Sequence, residues 1–168
     1  MAQKNFAVLL LGANLGDKIK MFADVETHIT DHIGNCIKKS AIYSSEAWGF
    51  ESNDLFYNQV LIVETEYSAH DTLLRCQAIE NKCGRVRHEN AGYESRTIDI
   101  DILYFNNDII DAEDLTIPHP LLHKRKFALV PLCEVLPEYI HPILLTSNKN
   151  LLANCEDNST VQVVSEAK

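Results

Sequence analysis

The sequence has few arginines, no closely paired cysteines and no long apolar run. Its five cysteines are odd in number and form no C-x-x-C pair, which argues against a disulfide framework or a cysteine zinc ribbon. No stretch approaches the ~20 apolar residues that cross a bilayer. The N-terminus also lacks a charged-then-apolar export signal. These absences predict a cytoplasmic protein that has no membrane partner.

Positive charge is scarce as well: 15 basic residues face 24 acidic ones, for a net charge of −9. A protein that coats nucleic acid normally carries a basic footprint, so we expect no nucleic-acid partner. The length of 168 residues and the 46% hydrophobic composition suit one core, and we expect a single domain over residues 1–168. Four of the five arginines fall between Arg85 and Arg125. Since guanidinium groups match phosphate oxygens in a two-pronged way, this concentration indicates a site for a small anion.

Two carboxylates stand two residues apart in a run that is typical of a strand, Arg96-Thr97-Ile98-Asp99-Ile100-Asp101-Ile102-Leu103. Successive side chains of a strand point to opposite faces, so Asp99 and Asp101 share one face and the isoleucines share the other. Two close carboxylates repel each other unless a cation lies between them, and hard divalent cations prefer oxygen ligands. The run therefore predicts a Mg²⁺ site on a sheet. A solvent-facing edge strand is the alternative.

Apolar runs and helical spacing predict the order β-α-β-β-α-β, followed by a helical tail. This order is typical of an α+β, ferredoxin-like βαββαβ antiparallel sheet with both helices on one face and a C-terminal helical extension. The opposite face would be left for a ligand. The predicted segments are strands at Asn5 to Leu11, Ile37 to Tyr43 and Phe56 to Thr65, a helix from Met21 ended by Gly34, a helix with Leu73, Leu74, Ile79 and Cys83 on its apolar face, a helix from Phe127 to Leu136 that Pro131 starts, a short helix near Leu151, and a strand at Val161 to Val164.

Several ordered motifs between Phe6 and Pro142 resemble those of the 6-hydroxymethyl-7,8-dihydropterin pyrophosphokinase family of the folate pathway. Each motif is weak alone, but the order and spacing together are specific. The motifs are Leu11-Gly12-Ala13-Asn14-Leu15-Gly16, Phe56-Tyr57-Asn58, Gln77-Ala78-Ile79-Glu80, Gly84-Arg85-Val86-Arg87, Arg96-Thr97-Ile98-Asp99-Ile100-Asp101-Ile102, and Pro118-His119-Pro120 with Arg125-Lys126-Phe127.

The resemblance implies transfer of pyrophosphate from ATP to the hydroxymethyl oxygen of the pterin, with release of AMP. By the resemblance, Asp99 and Asp101 hold two Mg²⁺ ions and, together with Arg85 and Arg96, form the catalytic set. The implied ATP contacts are Gln77, Arg85, Arg87, Ile102, His119 and Arg125. The implied pterin contacts are Phe56 and Phe127, which sandwich the ring, with Asn58 at its polar edge and Ser45 and Trp48 completing the pocket.

Two other functions remain open from the sequence. One is a ferredoxin-like binding module for RNA or a regulatory metabolite. The acidic net charge argues against RNA as its ligand. The other is a nucleotidyltransferase that uses the aspartate pair with two metals and leaves pyrophosphate as a product. For the oligomeric state we expect a monomer or a weak homodimer.

Overall fold

The computed structural model describes residues 3–46, 55–87, 94–96 and 98–164, and only the backbone of 85–87 and 94–96. The strands are β1 Asn5–Ala13, β2 Gly34–Lys39, β3 Tyr43–Ser45, β4 Phe56–Thr65, β5 Arg85–Arg87, β6 Glu94–Arg96, β7 Asp99–Phe105, β8 Ile110–Asp111, β9 Thr116–Ile117 and β10 Val161–Val163. The helices are α1 Lys18–His32, α2 Ala69–Gly84, α3 Lys126–Val135 and α4 Asn148–Ala153, with a 3-10 turn at Leu122–Lys124.

An antiparallel sheet of six strands forms the centre of the molecule. Its strand order is β10-β3-β4-β1-β7, and β2 pairs with β4 as well. β4 is long enough for both neighbours: β3 pairs with its beginning and β2 with its end. β1 lies between β4 and β7, and its register with β4 runs from Asn5 opposite Thr65 to Ala13 opposite Tyr57. The prediction of a mixed α and β structure on an antiparallel sheet is confirmed.

α1 and α2 cover one face of the sheet. Alternate apolar residues of β1 and β7, such as Leu9 and Ile100, are buried against Phe22 of α1 and Ile79 of α2. Asp17 caps the first turn of α1, because its side chain accepts a hydrogen bond from the Lys20 amide at 3.1 Å. The predicted positions of these two helices, and their place on one common face, agree with the structure.

The opposite face is only partly open, because α3 and α4 pack on it. Val8 and Leu10 of β1 and Val60 of β4 are buried there against Leu129 and Leu132 of α3. The expectation that this face is left to a ligand therefore holds only for the end of the sheet beyond α3. Within the described part of the chain, no helix is both long and apolar enough to cross a membrane.

Three local predictions are wrong. The single strand predicted from Ile37 to Tyr43 is two strands, since β2 ends at Lys39 and β3 begins at Tyr43. Between them the buried Ser40 turns its hydroxyl toward β4 and accepts a hydrogen bond from the Val60 amide at 3.0 Å. Leu74 is 60% exposed and so does not belong to the apolar face of α2. Pro131 lies inside α3 and does not start it.

Gly34 is the point at which α1 gives way to β2 without an intervening loop. A Cβ at this position would lie 2.0 Å from the carbonyl oxygen of Glu64 in β4. Backbone atoms of a paired strand cannot move away as a flexible side chain can, so only glycine fits here.

We therefore expect Gly34→Ala to lower the free energy of unfolding by about 3 kcal/mol, as for overpacking against a rigid neighbour. Gly16→Ala is the matched control: Gly16 has a φ of +68°, and among the described residues a Cβ there would meet no atom within 4 Å beyond its chain neighbours. Its loss should cost only the left-handed backbone strain of about 1 kcal/mol. Urea unfolding of both variants measures the difference, and equal losses would contradict the close approach.

Candidate active site

A cavity opens on the second face of the sheet, beyond the end of α3. The register of three neighbouring strands builds its floor: Asp101 lies opposite Leu10, Asp99 opposite Gly12, and Gly12 opposite Asn58. We call this the first cavity. Its lining residues are Leu10, Gly12, Ser45, Glu46, Phe56, Asn58, Asp99, Asp101, Arg125 and Phe127.

Asp99 and Asp101 both line the first cavity, while Ile100 between them is buried on the other face. The predicted alternation of β7 is confirmed. Glu80 of α2 lies behind this strand, is only 8% exposed, and accepts a hydrogen bond from the Ile100 amide at 2.8 Å. The carboxylate of Glu80 thus anchors the peptide that separates the two aspartates. Sequence reasoning gave Glu80 no role, although a charged residue at an apolar position of α2 was a usable signal.

Two aromatic rings reach the first cavity from different elements, Phe56 from β4 and Phe127 from α3. The guanidinium of Arg125 lies over the Phe127 ring, with its central carbon 5.6 Å from the ring centroid. Burial lowers the pKa of Arg125, and the charge of Asp101 acts in the opposite direction. A cation therefore lies between the aromatic wall and the acidic strand.

Asn58 and Ser45 supply buried polar atoms to the first cavity. Each is 4% exposed. The Asn58 amide nitrogen donates to the Leu11 carbonyl at 3.2 Å, whereas its Oδ1 and the Ser45 Oγ have no hydrogen-bond partner among the described residues. Gly12 makes room for this amide, because a Cβ there would lie 2.9 Å from Asn58 Nδ2. A buried acceptor without a donor costs about 1–3 kcal/mol, so a ligand with N–H groups at its edge suits this wall.

The cavity wall formed by β3 is tied to α3 by one carboxylate. Glu134 of α3 accepts hydrogen bonds from the Tyr43 hydroxyl at 2.6 Å and from the Ala41 amide at 3.0 Å. Burial, followed by this hydrogen bond, raises the pKa of Tyr43 to about 12, so the hydroxyl keeps its proton. Glu134 therefore ties the C-terminal part of α3 to the chain around β3, the strand that carries Ser45.

A second cavity adjoins the first along the edge of β7. Asp101 lines both cavities. The residues of the second cavity are Leu73, Ile100, Asp101, Ile102, Glu113, Asp114, Leu115, Thr116, His119 and Pro120.

His119 is held in one tautomer at the second cavity. Its Nδ1 accepts a hydrogen bond from the Leu121 amide at 3.2 Å, and its own amide donates to the Leu103 carbonyl at 3.0 Å. Burial, and then the nearby Arg125 charge, lowers the pKa of His119 to about 4. The ring is therefore neutral near pH 7, and its proton is on Nε2, where it can be donated.

The structure gathers most of the residues that the sequence singled out. Seven of them, Ser45, Phe56, Asn58, Asp99, Asp101, Arg125 and Phe127, line the first cavity. Ile102 and His119 line the second cavity. Gln77 is exposed on α2 and lines neither cavity. Leu10, Gly12 and Glu46 were not anticipated as lining residues.

The remaining predicted residues lie partly or wholly outside the described structure. Trp48 is outside the described residues. Arg85 and Arg87 are in β5, which pairs with β6 so that Arg85 lies opposite Arg96 and Arg87 opposite Glu94. Two of the three arginines are thus neighbours in backbone register, and their side chains are outside the described residues.

The sequence is similar to those of known proteins. The sequence model of the 7,8-dihydro-6-hydroxymethylpterin-pyrophosphokinase (HPPK) family matches residues 8–137. The chain is 38% identical over 133 residues to the 2-amino-4-hydroxy-6-hydroxymethyldihydropteridine pyrophosphokinase of Aquifex aeolicus, an alignment that covers 79% of this chain and 81% of that protein. It is 39% identical over 151 residues to the folic acid synthesis protein FOL1 of Dictyostelium discoideum, covering 88% of this chain.

The fold is shared with a solved structure. The crystal structure of wild-type HPPK-DHPS from Plasmodium falciparum matches 90% of this chain with a TM-score of 0.72 at 18% identity. The chain spans only 44% of that protein and 22% of the Dictyostelium protein. Since the family model covers more than half of the residues, and the Aquifex protein aligns over most of both lengths, the chain belongs to the HPPK family.

Proposed function

We propose that this chain transfers pyrophosphate from ATP to 6-hydroxymethyl-7,8-dihydropterin and releases AMP, as a step of folate biosynthesis. Family membership supports the reaction class. The observation that carries the proposal is that Asp101 lines both cavities, so that a ligand in each would meet at the acidic strand. The hydroxymethyl oxygen forms a bond to the β-phosphorus and loses its proton, and the bond from that phosphorus to the bridging oxygen of AMP breaks.

The first cavity suits the pterin. A flat heterocycle gains from stacking on aromatic rings, which Phe56 and Phe127 offer. The free Oδ1 of Asn58 would accept from an N–H group at the ring edge, and the Ser45 hydroxyl would meet another polar atom. Trp48, outside the described residues, remains a proposed pterin contact from the family resemblance.

The second cavity suits the nucleoside end of ATP. Ile102 gives an apolar surface, and His119 Nε2 offers a donor. The exposed carboxylates of Glu113 and Asp114 lie at this cavity, and they would repel phosphates. The triphosphate would therefore extend toward Asp101 and Arg125.

The arginines are the proposed phosphate contacts. Arg85, Arg96 and Arg125 would bind phosphate oxygens, since guanidinium donors match them. Gln77 and Arg87 remain proposed ATP contacts from the family resemblance.

Asp99 and Asp101 are the proposed ligands of two Mg²⁺ ions. The donor set fits the ion, because both side chains offer carboxylate oxygens to one cavity and Glu80 fixes the peptide between them. The bound ions would supply charge neutralisation on the phosphates. The protein's own contribution is to hold both carboxylates on one face and to keep Phe56 and Phe127 around the acceptor.

We also infer the finer architecture and setting. The order β2-β4-β1-β7, with α1 and α2 on one face, supports a ferredoxin-like fold with a C-terminal helical extension in a single domain. The five cysteines are free thiols, which supports a reducing compartment such as the cytoplasm. A monomer or weak homodimer remains our proposal for the oligomeric state.

The reaction is tested with Mg²⁺, ATP and 6-hydroxymethyl-7,8-dihydropterin, following AMP and pterin diphosphate by chromatography. Asp99→Ala and Asp101→Ala should each lower kcat/KM on the order of a hundredfold or more, because each removes a proposed ligand of the Mg²⁺ ions that would neutralise the phosphates. Asp111→Ala, at an exposed position in β8, is the control and should keep full activity. Release of pyrophosphate in place of AMP would indicate a nucleotidyltransferase, and unfolding of the Asp99 or Asp101 variant would refute their place on the ligand face.

The pKa of His119 gives a second test, on the protein without ligands. Nitrogen-detected NMR should show a titration midpoint near pH 4, against 6.5 for an unperturbed histidine. The unfolded chain takes up this proton below about pH 6.5, while the folded chain does so only near pH 4. The contribution of His119 therefore makes the protein less stable as pH falls through this window, and His119→Asn should remove that part of the pH dependence. A midpoint near 6.5 would show that the ring is not buried.

A further inference from the structure

The C-terminal segment 154–164 packs behind the first cavity, and it lies beyond the residues that the family model matches. Its strand β10 pairs with β3 so that Val161 is opposite Ser45, which lines that cavity. The Val164 amide extends the contact by donating to the Ile42 carbonyl at 2.8 Å. The segment is therefore part of the layer that supports the cavity wall.

The same segment reaches the start of α3. The N-cap residue of α3, Arg125, makes no capping hydrogen bond with its side chain. Instead, the Lys126 amide donates to Asp157 Oδ2 at 3.1 Å. The other oxygen of Asp157 accepts from the Ser159 amide at 2.9 Å, which orients the carboxylate. Asp157 thus caps α3 from 31 residues away in sequence.

The charge of Asp157 suits this position. A carboxylate is stabilised at the positive end of a helix dipole. Burial alone would raise the pKa of Asp157, but the hydrogen bonds from Ser159 and the Lys126 amide outweigh it and lower the pKa. The acid therefore remains ionised and keeps both acceptor oxygens at neutral pH.

We propose that Asp157 is a positioning residue for pterin binding: it holds the first turn of α3 so that Phe127 faces the first cavity. Lys126, whose amide it binds, directly precedes Phe127 in the chain. Glu134 anchors the same helix near its C-terminal end, through Tyr43, but it does not reach the first turn. The inference rests on the proposed pyrophosphokinase function, because it concerns the acceptor site of that reaction.

The test uses full-length Asp157→Ala and Asp157→Asn in the AMP-release assay. Loss of a cap frays the first turn, so Asp157→Ala should raise the KM for the pterin roughly fivefold to tenfold and change kcat by less than about twofold. Asparagine retains an oxygen acceptor, so Asp157→Asn should restore the pterin KM to within about twofold of the unaltered protein. Asp157→Glu, which moves the carboxylate by one methylene, should give an intermediate pterin KM. This variant replaces Asp157→Ala in the test if the alanine variant does not fold.

Two controls separate positioning from general stability. Glu156→Gln removes an exposed charge next to Asp157 and should leave the pterin KM unchanged. Ser147→Ala removes the cap of another helix, since Ser147 Oγ accepts from the Asn150 amide at 3.2 Å in α4. It should lower the Tm as the Asp157→Ala change does, without raising the pterin KM.

The outcomes distinguish the positioning role of Asp157 from the proposed reaction. If the unaltered enzyme is active, two results would overturn the positioning role and leave the proposed reaction intact. One is a pterin KM that does not change in Asp157→Ala, and the other is a pterin KM that rises equally in Ser147→Ala. An unaltered protein that is folded but releases no AMP would overturn the proposed function itself, and the role of Asp157 with it.

Discussion

The alternation of side chains along β1, β4 and β7 is the constraint on which the rest of this structure depends. On one face, most of the alternating residues are apolar and pack against α1 and α2. On the other face, the residues are apolar where α3 covers them and polar where it does not. A slip of one residue in the pairing of β7 with β1 would place Ile100 in the cavity and Asp101 in the core. Such a slip would bury a charge, which is costly. The register is therefore strongly specified, and so is the position of the acidic pair.

The cavity is supported from behind by three carboxylates that bind backbone amides. Glu80 accepts from Ile100 in β7, Glu134 accepts from Ala41 beside β3, and Asp157 accepts from Lys126 in α3. Hydrogen bonds to an ionised acceptor are stronger than those between neutral groups. Each carboxylate therefore fastens one element of the wall at its backbone.

The first cavity keeps polar atoms that the folded chain does not use. The Asn58 Oδ1 and Ser45 Oγ are buried without a partner in the described structure, a state that lowers stability. Gly12 preserves the space that the Asn58 amide occupies. Such atoms are already desolvated in the unliganded fold, so the protein gives up some stability at this cavity.

Features whose signal lies within one helix or strand could be predicted from the sequence. The bounds of β4 and the two faces of β7 follow from periodicity, and both agree with the structure. Asp99 and Asp101 could be predicted to share one face for the same reason.

The contacts between distant segments could not be predicted in this way. The break at Ser40 depends on a hydrogen bond to β4, α3 covers part of the face expected to be open, and Asp157 caps a helix that begins 31 residues earlier. Gln77 matches a family motif, yet it lies on the exposed side of α2. Local patterns encode which face of an element is apolar, whereas these contacts depend on which faces come together and on the donors left at their edges.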